Sequence, residues 1–129
     1  MKTRITTEGD VTVIELSGYL DFETANPIAN SIDEIYKNDK QARVVINMTG
    51  LQFVGSSGIS SFVKNLRVFN KMKMKPSYFG VRSEFMKIFK VFEEEHPFDV
   101  SDTLESARMA ALARYEAWQI KTLRSKRTH

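Results

Sequence analysis

Two neighbouring serines stand between glycines in the segment Gly55-Ser56-Ser57-Gly58, where an apolar stretch gives way to helical spacing. At a helix start, a serine hydroxyl can accept a hydrogen bond from a free backbone N–H. The glycines permit a tight turn and leave the hydroxyls uncrowded. The free N–H groups and the helix dipole also favour a phosphate, which would add a charge of about −1.5 to −2. The segment therefore predicts either a simple helix cap or a phosphorylation switch that a docked partner detects.

The sequence lacks the residue patterns that other kinds of chemistry require. The chain has two histidines, His96 and His129, and no cysteine, so no zinc-ligand spacing can be assembled. It contains neither G-x-x-x-x-G-K-[ST] nor G-x-G-x-x-G. The hydrolase pattern G-x-S-x-G also fails, because Gly58 comes one place early. We therefore expect a protein that is not an enzyme and that needs no metal or cofactor, with His96 on the surface before Pro97.

The overall composition fits one small domain. A chain of 129 residues, 42% of them apolar, can bury one ordinary core. No run approaches the roughly 18 apolar residues of a membrane span. The basic start Met1-Lys2-Thr3-Arg4 leads into alternating residues and not into the apolar block of a signal peptide. The absence of cysteine excludes a disulfide framework. We expect a cytoplasmic protein without membrane insertion.

The positive charge is concentrated at the carboxyl end. Lys121, Arg124, Lys126 and Arg127 lie in the last 13 residues, which contain no acid, so residues 1–116 hold 15 bases against 16 acids. This predicts a folded domain over residues 1–116 and a basic tail over 117–129. With Trp118, the tail could bind a membrane surface or nucleic acid. We expect no direct nucleic-acid binding, because such proteins usually carry their basic stripe on the folded surface.

The first elements are two strands and a helix. Residues 3–7 predict a strand, Glu8-Gly9-Asp10 a hairpin turn, and residues 11–16 a second strand that ends at Gly18. From Thr24, apolar residues recur at helical spacing, and Pro27 is expected in the first turn of that helix.

The rest of the chain alternates between strands and helices. Residues 44–48 form a β-branched run typical of a buried strand, and helical spacing resumes at Ile59. A strand over 76–81, a helix over 82–92 and a strand over 98–100 follow. The last helix is expected to be capped by Ser101 or Asp102, with Glu105 in its first turn, and to bury Leu104, Ala107, Ala111 and Tyr115. This order predicts an α/β fold, an open sheet with helices mainly on one side.

From Val11 to Ala113 the sequence resembles the STAS domain family, named for sulfate transporters and anti-sigma factor antagonists. The most specific stretch runs from Val44 through Asn47-Met48-Thr49-Gly50 and Gly55-Ser56-Ser57-Gly58 to Ile59. Leu20-Asp21 and the segment 98–107 resemble the turn after an early strand and the start of the last helix. The resemblance implies the SpoIIAA-like fold, a mixed sheet of about four to five strands with about four helices packed mainly on one side.

In anti-sigma factor antagonists of this family, a serine in the loop is phosphorylated by the anti-sigma factor, a serine kinase of the histidine-kinase-like ATPase type. A serine phosphatase reverses the modification. Carried over, the resemblance implies phosphorylation of Ser56 and less readily of Ser57, with Asp21, Gly55, Ser56, Ser57, Gly58 and Ile59 as the partner-binding surface. Asp21 could also act only as a local cap of its turn.

Two positions depart from the family pattern, because Gly55 and Asn47 stand where aspartates are expected. The loss of an acidic side chain next to Ser56 is expected to weaken recognition by the kinase or contacts with the partner. The departure gives weight to an alternative, a STAS subunit of a membrane transporter complex for lipids, which would bind the ATPase subunit without phosphorylation.

Overall fold

The computed structural model describes residues 2–53, 56–93 and 96–127, and the side chains of these residues except 22–26, 53, 56–58 and 122–127. The described part forms five strands and four helices. In chain order they are β1 (Lys2–Glu8), β2 (Val11–Leu20), α1 (Phe22–Asn38), β3 (Val44–Phe53), α2 (Ser56–Asn70), β4 (Ser77–Phe79), α3 (Ser83–Phe92), β5 (Asp99–Ser101) and α4 (Leu104–Arg127). This confirms the predicted α/β alternation.

The strands lie in the sheet in the order of the sequence, β1-β2-β3-β4-β5. β1 and β2 form an antiparallel hairpin, and the remaining neighbours are parallel, so the sheet is mixed. Gly9 has φ +61° in the hairpin turn, a conformation that L side chains rarely adopt. The turn predicted at Glu8-Gly9-Asp10 is therefore confirmed.

One face of the sheet is covered by α1, α2 and α3. Alternate residues of β2, such as Ile14 and Leu16, point to this face and are fully buried with Ile46 of β3. Phenylalanines of α2 and α3 are buried here at positions 62, 69, 85 and 89, while Phe92 is half-buried. Each buried aromatic stabilises the fold by about 2–3 kcal/mol relative to an exposed one.

The opposite face is covered by α4. Val11, Val13 and Val45 form a second, smaller core with Ala107 and Ala111 of that helix. The two alanines let the helix approach the sheet closely. Because β2 and β3 are buried on both faces, they carry apolar residues at consecutive positions, as parallel strands usually do. Three helices on one face and one on the other confirm the expected arrangement.

Several boundaries differ from the sequence prediction. β2 continues through Gly18 to Leu20, and β3 continues past Met48 to Phe53, because the two strands pair along this whole length. α1 begins at Phe22, so Pro27 is inside the helix and not in its first turn, where we had placed it. The missing N–H of Pro27 therefore removes one bond of the helix.

The last helix begins differently from what the sequence indicated. Its cap is Thr103, whose Oγ1 accepts a hydrogen bond from the backbone N–H of Ser106 at 3.1 Å. The prediction of Ser101 or Asp102 as the cap was wrong, because Ser101 still belongs to β5. α4 then runs past residue 117 to Arg127 without a break. In the described part of the chain, no helix has both the length and the apolar character to cross a bilayer.

Candidate functional site

The ends of β2 and β3 bring Asp21 and the start of α2 to one edge of the sheet. Leu20, the last residue of β2, is the register partner of Phe53, the last residue of β3. The chain therefore leaves both strands side by side, toward α1 after Asp21 and toward α2 after Phe53. Asp21 is exposed. In sheets of parallel strands, this carboxyl edge is where binding sites usually form.

The predicted serine turn lies at the start of α2. Ser56, Ser57 and Gly58 form the first residues of the helix, and their side chains lie outside the described part of the structure. Gly55 lies outside the described residues altogether. The first turn of α2 contains no acidic residue. Within α2 the partial positive charge of the helix start is therefore not offset by a carboxylate.

Ile59, which we predicted as a partner-binding residue, is only 3% exposed and belongs to the core beneath the helices. Its side chain therefore offers almost no surface to a partner. It can act on the site only indirectly, by anchoring the first turn of α2 over the sheet.

The solvent face of α2 extends the site away from the serine turn. Lys64 and Val68 are exposed on it four residues apart, Val68 to 66%, and Lys71 is exposed directly after the helix ends. The Lys64 ammonium and the Arg67 guanidinium lie 5.9 and 5.8 Å from the ring centroid of Phe92 in α3. Cation–π contacts of this kind favour positions of the two basic groups close to the seam between α2 and α3.

Sequence reasoning missed a group of exposed residues at the same edge. Tyr19 is 61% exposed and pairs in register with Gln52 on β3. A shallow groove beside them is lined by Leu51, Gln52, Arg82 and Glu84. The alternation of β2, followed beyond Gly18, would have placed Tyr19 on the face opposite Leu16 and Leu20.

The replacement of aspartate by Asn47 has a local structural explanation. Asn47 Oδ1 accepts hydrogen bonds from the backbone N–H of Thr49 at 3.0 Å and from its hydroxyl at 2.6 Å. A carboxylate oxygen could accept the same two bonds. Asn47 therefore supplies the acceptor that shapes β3 without adding a negative charge near the site.

The position of α3 at this edge depends on Gly80. Its φ of +72° and its approach to Thr49, where a Cβ would lie 2.1 Å from Oγ1, leave space only for glycine. This close packing carries the chain from β4 into α3 and places Arg82 beside Gln52.

The arrangement has the features of a binding surface. The described residues include no group of three histidine, cysteine, aspartate or glutamate side chains placed to hold a metal ion. The edge offers an exposed carboxylate at Asp21, the start of a helix and a helix face with basic and apolar side chains. These are features of a surface that contacts another macromolecule.

Comparisons with known proteins agree with this architecture. The family model of the STAS domain matches residues 2–107. A search of the curated proteins gave no match.

Solved structures share the fold. An anti-sigma factor antagonist from Mycobacterium paratuberculosis is 19% identical over 85% of this chain and 92% of its own, with a TM-score of 0.65. The anti-sigma factor antagonist SpoIIAA in its unphosphorylated form is 18% identical, covering 87% of this chain and 98% of its own, with a TM-score of 0.60. The Bacillus cell fate determinant SpoIIAA in its phosphorylated form is 17% identical, covering 81% and 96%, with a TM-score of 0.56.

At these identities the structural likeness shows the fold alone. Membership rests on the family model, which spans most of the sequence, including both strands that end at the site. The chain belongs to the STAS domain family.

Proposed function

We propose that this protein is a regulatory binding module of the anti-sigma factor antagonist type and not an enzyme. Its partner would be an anti-sigma factor that is a serine kinase of the histidine-kinase-like ATPase type. The observation that carries this proposal is the shared edge at which β2 delivers Asp21 and β3 delivers the start of α2. A partner docked on this edge can contact both features.

Phosphorylation of Ser56, or less readily of Ser57, would switch this binding. A helix start favours a phosphate through its N–H groups and its dipole, and the first turn of α2 contains no carboxylate that would oppose one. A phosphate placed there would add charge at a surface where the partner fits closely, and binding would weaken. SpoIIAA, which has the same fold, is known in a phosphorylated and an unphosphorylated form. A serine phosphatase would restore the binding form.

The solvent face of α2 would contribute the rest of the contact. Lys64 on α2 and Lys71 directly after it carry positive charge on either side of the exposed Val68. This pattern fits a partner surface with acidic groups around an apolar patch, since complementary charges direct the approach and the apolar contact adds affinity.

Affinity capture from the native cell would test the proposal. Wild type, Ser56→Ala and Ser56→Asp would serve as baits, and Ser106→Asp would be the control, because Ser106 is an exposed serine in the first turn of α4. We expect an ATPase of the histidine-kinase type to bind wild type, Ser56→Ala and the control. Ser56→Asp should retain at least tenfold less, since an added carboxylate imitates part of the phosphate charge.

Equal binding of Ser56→Asp and wild type would show that charge at Ser56 does not control the interaction. Capture of a transporter ATPase by all four baits would favour the transporter-subunit reading instead. Mapping phosphopeptides of the bait recovered from the cell then identifies the modified serine directly.

A further inference from the structure

β1 presents an open edge to solvent. It is the terminal strand of the sheet, paired with β2 alone among the described strands. Its side chains are exposed at almost every position, including Ile5 at 50%. Edge strands with unpaired backbone groups tend to pair with another strand unless something prevents it.

The direction of the free backbone groups follows from the hydrogen bonds of β2. Thr12 donates its backbone N–H to the carbonyl of Arg43, toward β3. Its antiparallel partner, Thr7, therefore does not exchange hydrogen bonds with it and directs its own N–H and C=O outward. Because this orientation alternates along a strand, Thr3 and Ile5 direct theirs outward as well.

The side chains of β1 are complementary to themselves in one antiparallel register. When the strand is paired with a copy of itself about a two-fold axis at Ile5, the outward-directed Thr3 faces the partner's Thr7 and each Ile5 faces the partner's Ile5. Lys2 then lies opposite the partner's Glu8, and an opposite-charge pair forms at each end. A parallel, in-register pairing would instead place Lys2 beside Lys2 and Arg4 beside Arg4.

We propose that the protein forms a homodimer in which β1 of two copies pairs antiparallel about Ile5, joining the two sheets into one. Such a two-fold contact closes on itself, so it uses each β1 edge once. The other edge strand, β5, has three residues and offers little for a chain of further copies. The proposal rests on β1 and is independent of the proposed function.

The interface consists of a single pair of seven-residue strands. It is smaller than the roughly 800 Å² per partner of stable complexes, so we expect a weak dimer that forms at about 0.1 mM protein. Sedimentation equilibrium from about 0.01 to 1 mM would measure it. Ile5→Lys, which places two ammonium groups at the axis, should weaken association at least tenfold. Val91→Lys is the matched control, because Val91 is 72% exposed on α3.

A charge exchange tests the register. Lys2→Glu alone and Glu8→Lys alone should each self-associate several-fold more weakly than wild type, because like charges then meet at both ends. A one-to-one mixture of the two variants should associate more strongly than either, since every like-charge pair becomes an opposite-charge pair. Glu8 also lies 3.9 Å from Arg108 Nε of its own chain, so thermal melts would confirm that the variants are folded.

Three results would overturn the proposal. The wild type could remain monomeric throughout the range, Ile5→Lys could associate as strongly as Val91→Lys, or the mixture could associate no more strongly than its components. The mixture separates the register from a general loss of stability, because two weakened folds would not recover on mixing.

Discussion

Two buried tyrosines show how the surroundings of one hydroxyl decide its effect on stability. Tyr36 donates its hydroxyl to the carbonyl of Met74 at 2.8 Å, whereas the hydroxyl of Tyr78 has no hydrogen-bond partner among the described residues. Burial removes both from water and raises the pKa of each above the ordinary value for tyrosine. A buried hydroxyl without a hydrogen-bond partner destabilises the folded state, whereas a buried hydroxyl that is hydrogen-bonded stabilises it.

We therefore expect opposite results from the same substitution. Tyr36→Phe should lower the free energy of unfolding by about 1 kcal/mol, because the buried Met74 carbonyl loses its donor. Tyr78→Phe should leave the free energy of unfolding unchanged or raise it by up to about 1 kcal/mol. Urea unfolding followed by circular dichroism measures both, and each variant serves as the control for the other. A larger loss for Tyr78→Phe than for Tyr36→Phe would show that the hydroxyl of Tyr78 is satisfied in solution.

At the scale of the element, the start of α4 depends on one side chain. Thr103 Oγ1 accepts the backbone N–H of Ser106 at 3.1 Å and lies 2.9 Å from its hydroxyl oxygen. Glu105 lies in the first turn, as predicted, and pairs with Arg108 at 3.0 Å. The helix start is therefore held by a single threonine cap, one residue after Asp102.

Removal of this cap has a defined cost. Thr103→Ala should lower the free energy of unfolding by about 1 kcal/mol, because a helix N–H loses its acceptor. Asp102→Ala, at the exposed neighbouring position that the sequence suggested as the cap, should change it by less than about 0.5 kcal/mol. Thermal and urea unfolding of both variants would measure these changes. An equal loss of unfolding free energy in the two variants would mean that both side chains cap the helix.

At the scale of the whole molecule, a polar cluster joins α4 to the far end of the sheet. Arg114 of α4 donates to the carboxylate of Asp99 on β5 and to the hydroxyl of Ser77 on β4, and Ser77 donates to Asp99 at 3.0 Å. Ser77 is fully buried, and the Arg114 and Asp99 side chains are 19% and 25% exposed. The cluster therefore links β4 and β5, which have three residues each, to α4 through side-chain hydrogen bonds.

Breaking this cluster should lower the free energy of unfolding of the domain. Arg114→Met keeps the aliphatic stem but leaves the Asp99 carboxylate without its cation, and we expect a loss of about 1–3 kcal/mol. Arg108→Met is the matched control on the same helix, because Arg108 pairs with Glu105 and Glu8, whose side chains are 70% and 46% exposed. The control should cost less than about 1 kcal/mol. Equal losses in urea unfolding would show that the cluster contributes no more than a surface ion pair.

The amino-acid sequence alone determined the order of the elements and the composition of the main core. Apolar spacing follows the period of each element, so the helices around Ile32, Phe62 and Phe85 and the strands around Ile14 and Ile46 could be read directly. The start of α2 near Ser56 could also be located approximately from its serines and glycines, because the preference of these residues for helix starts is local. These local signals carry no information about which segments contact one another in the folded protein.

The tertiary structure decided everything that depends on pairing between distant segments. The lengths of β2 and β3 follow from their register with each other, which carried both past Gly18 and Met48. The same register brings Asp21 and Tyr19 to the edge where α2 starts, and packing against the sheet turns Ile59 inward. Periodicity along one segment specifies which faces are apolar, but the neighbour that covers a face, and the surface that remains, are set by contacts between residues far apart in the chain.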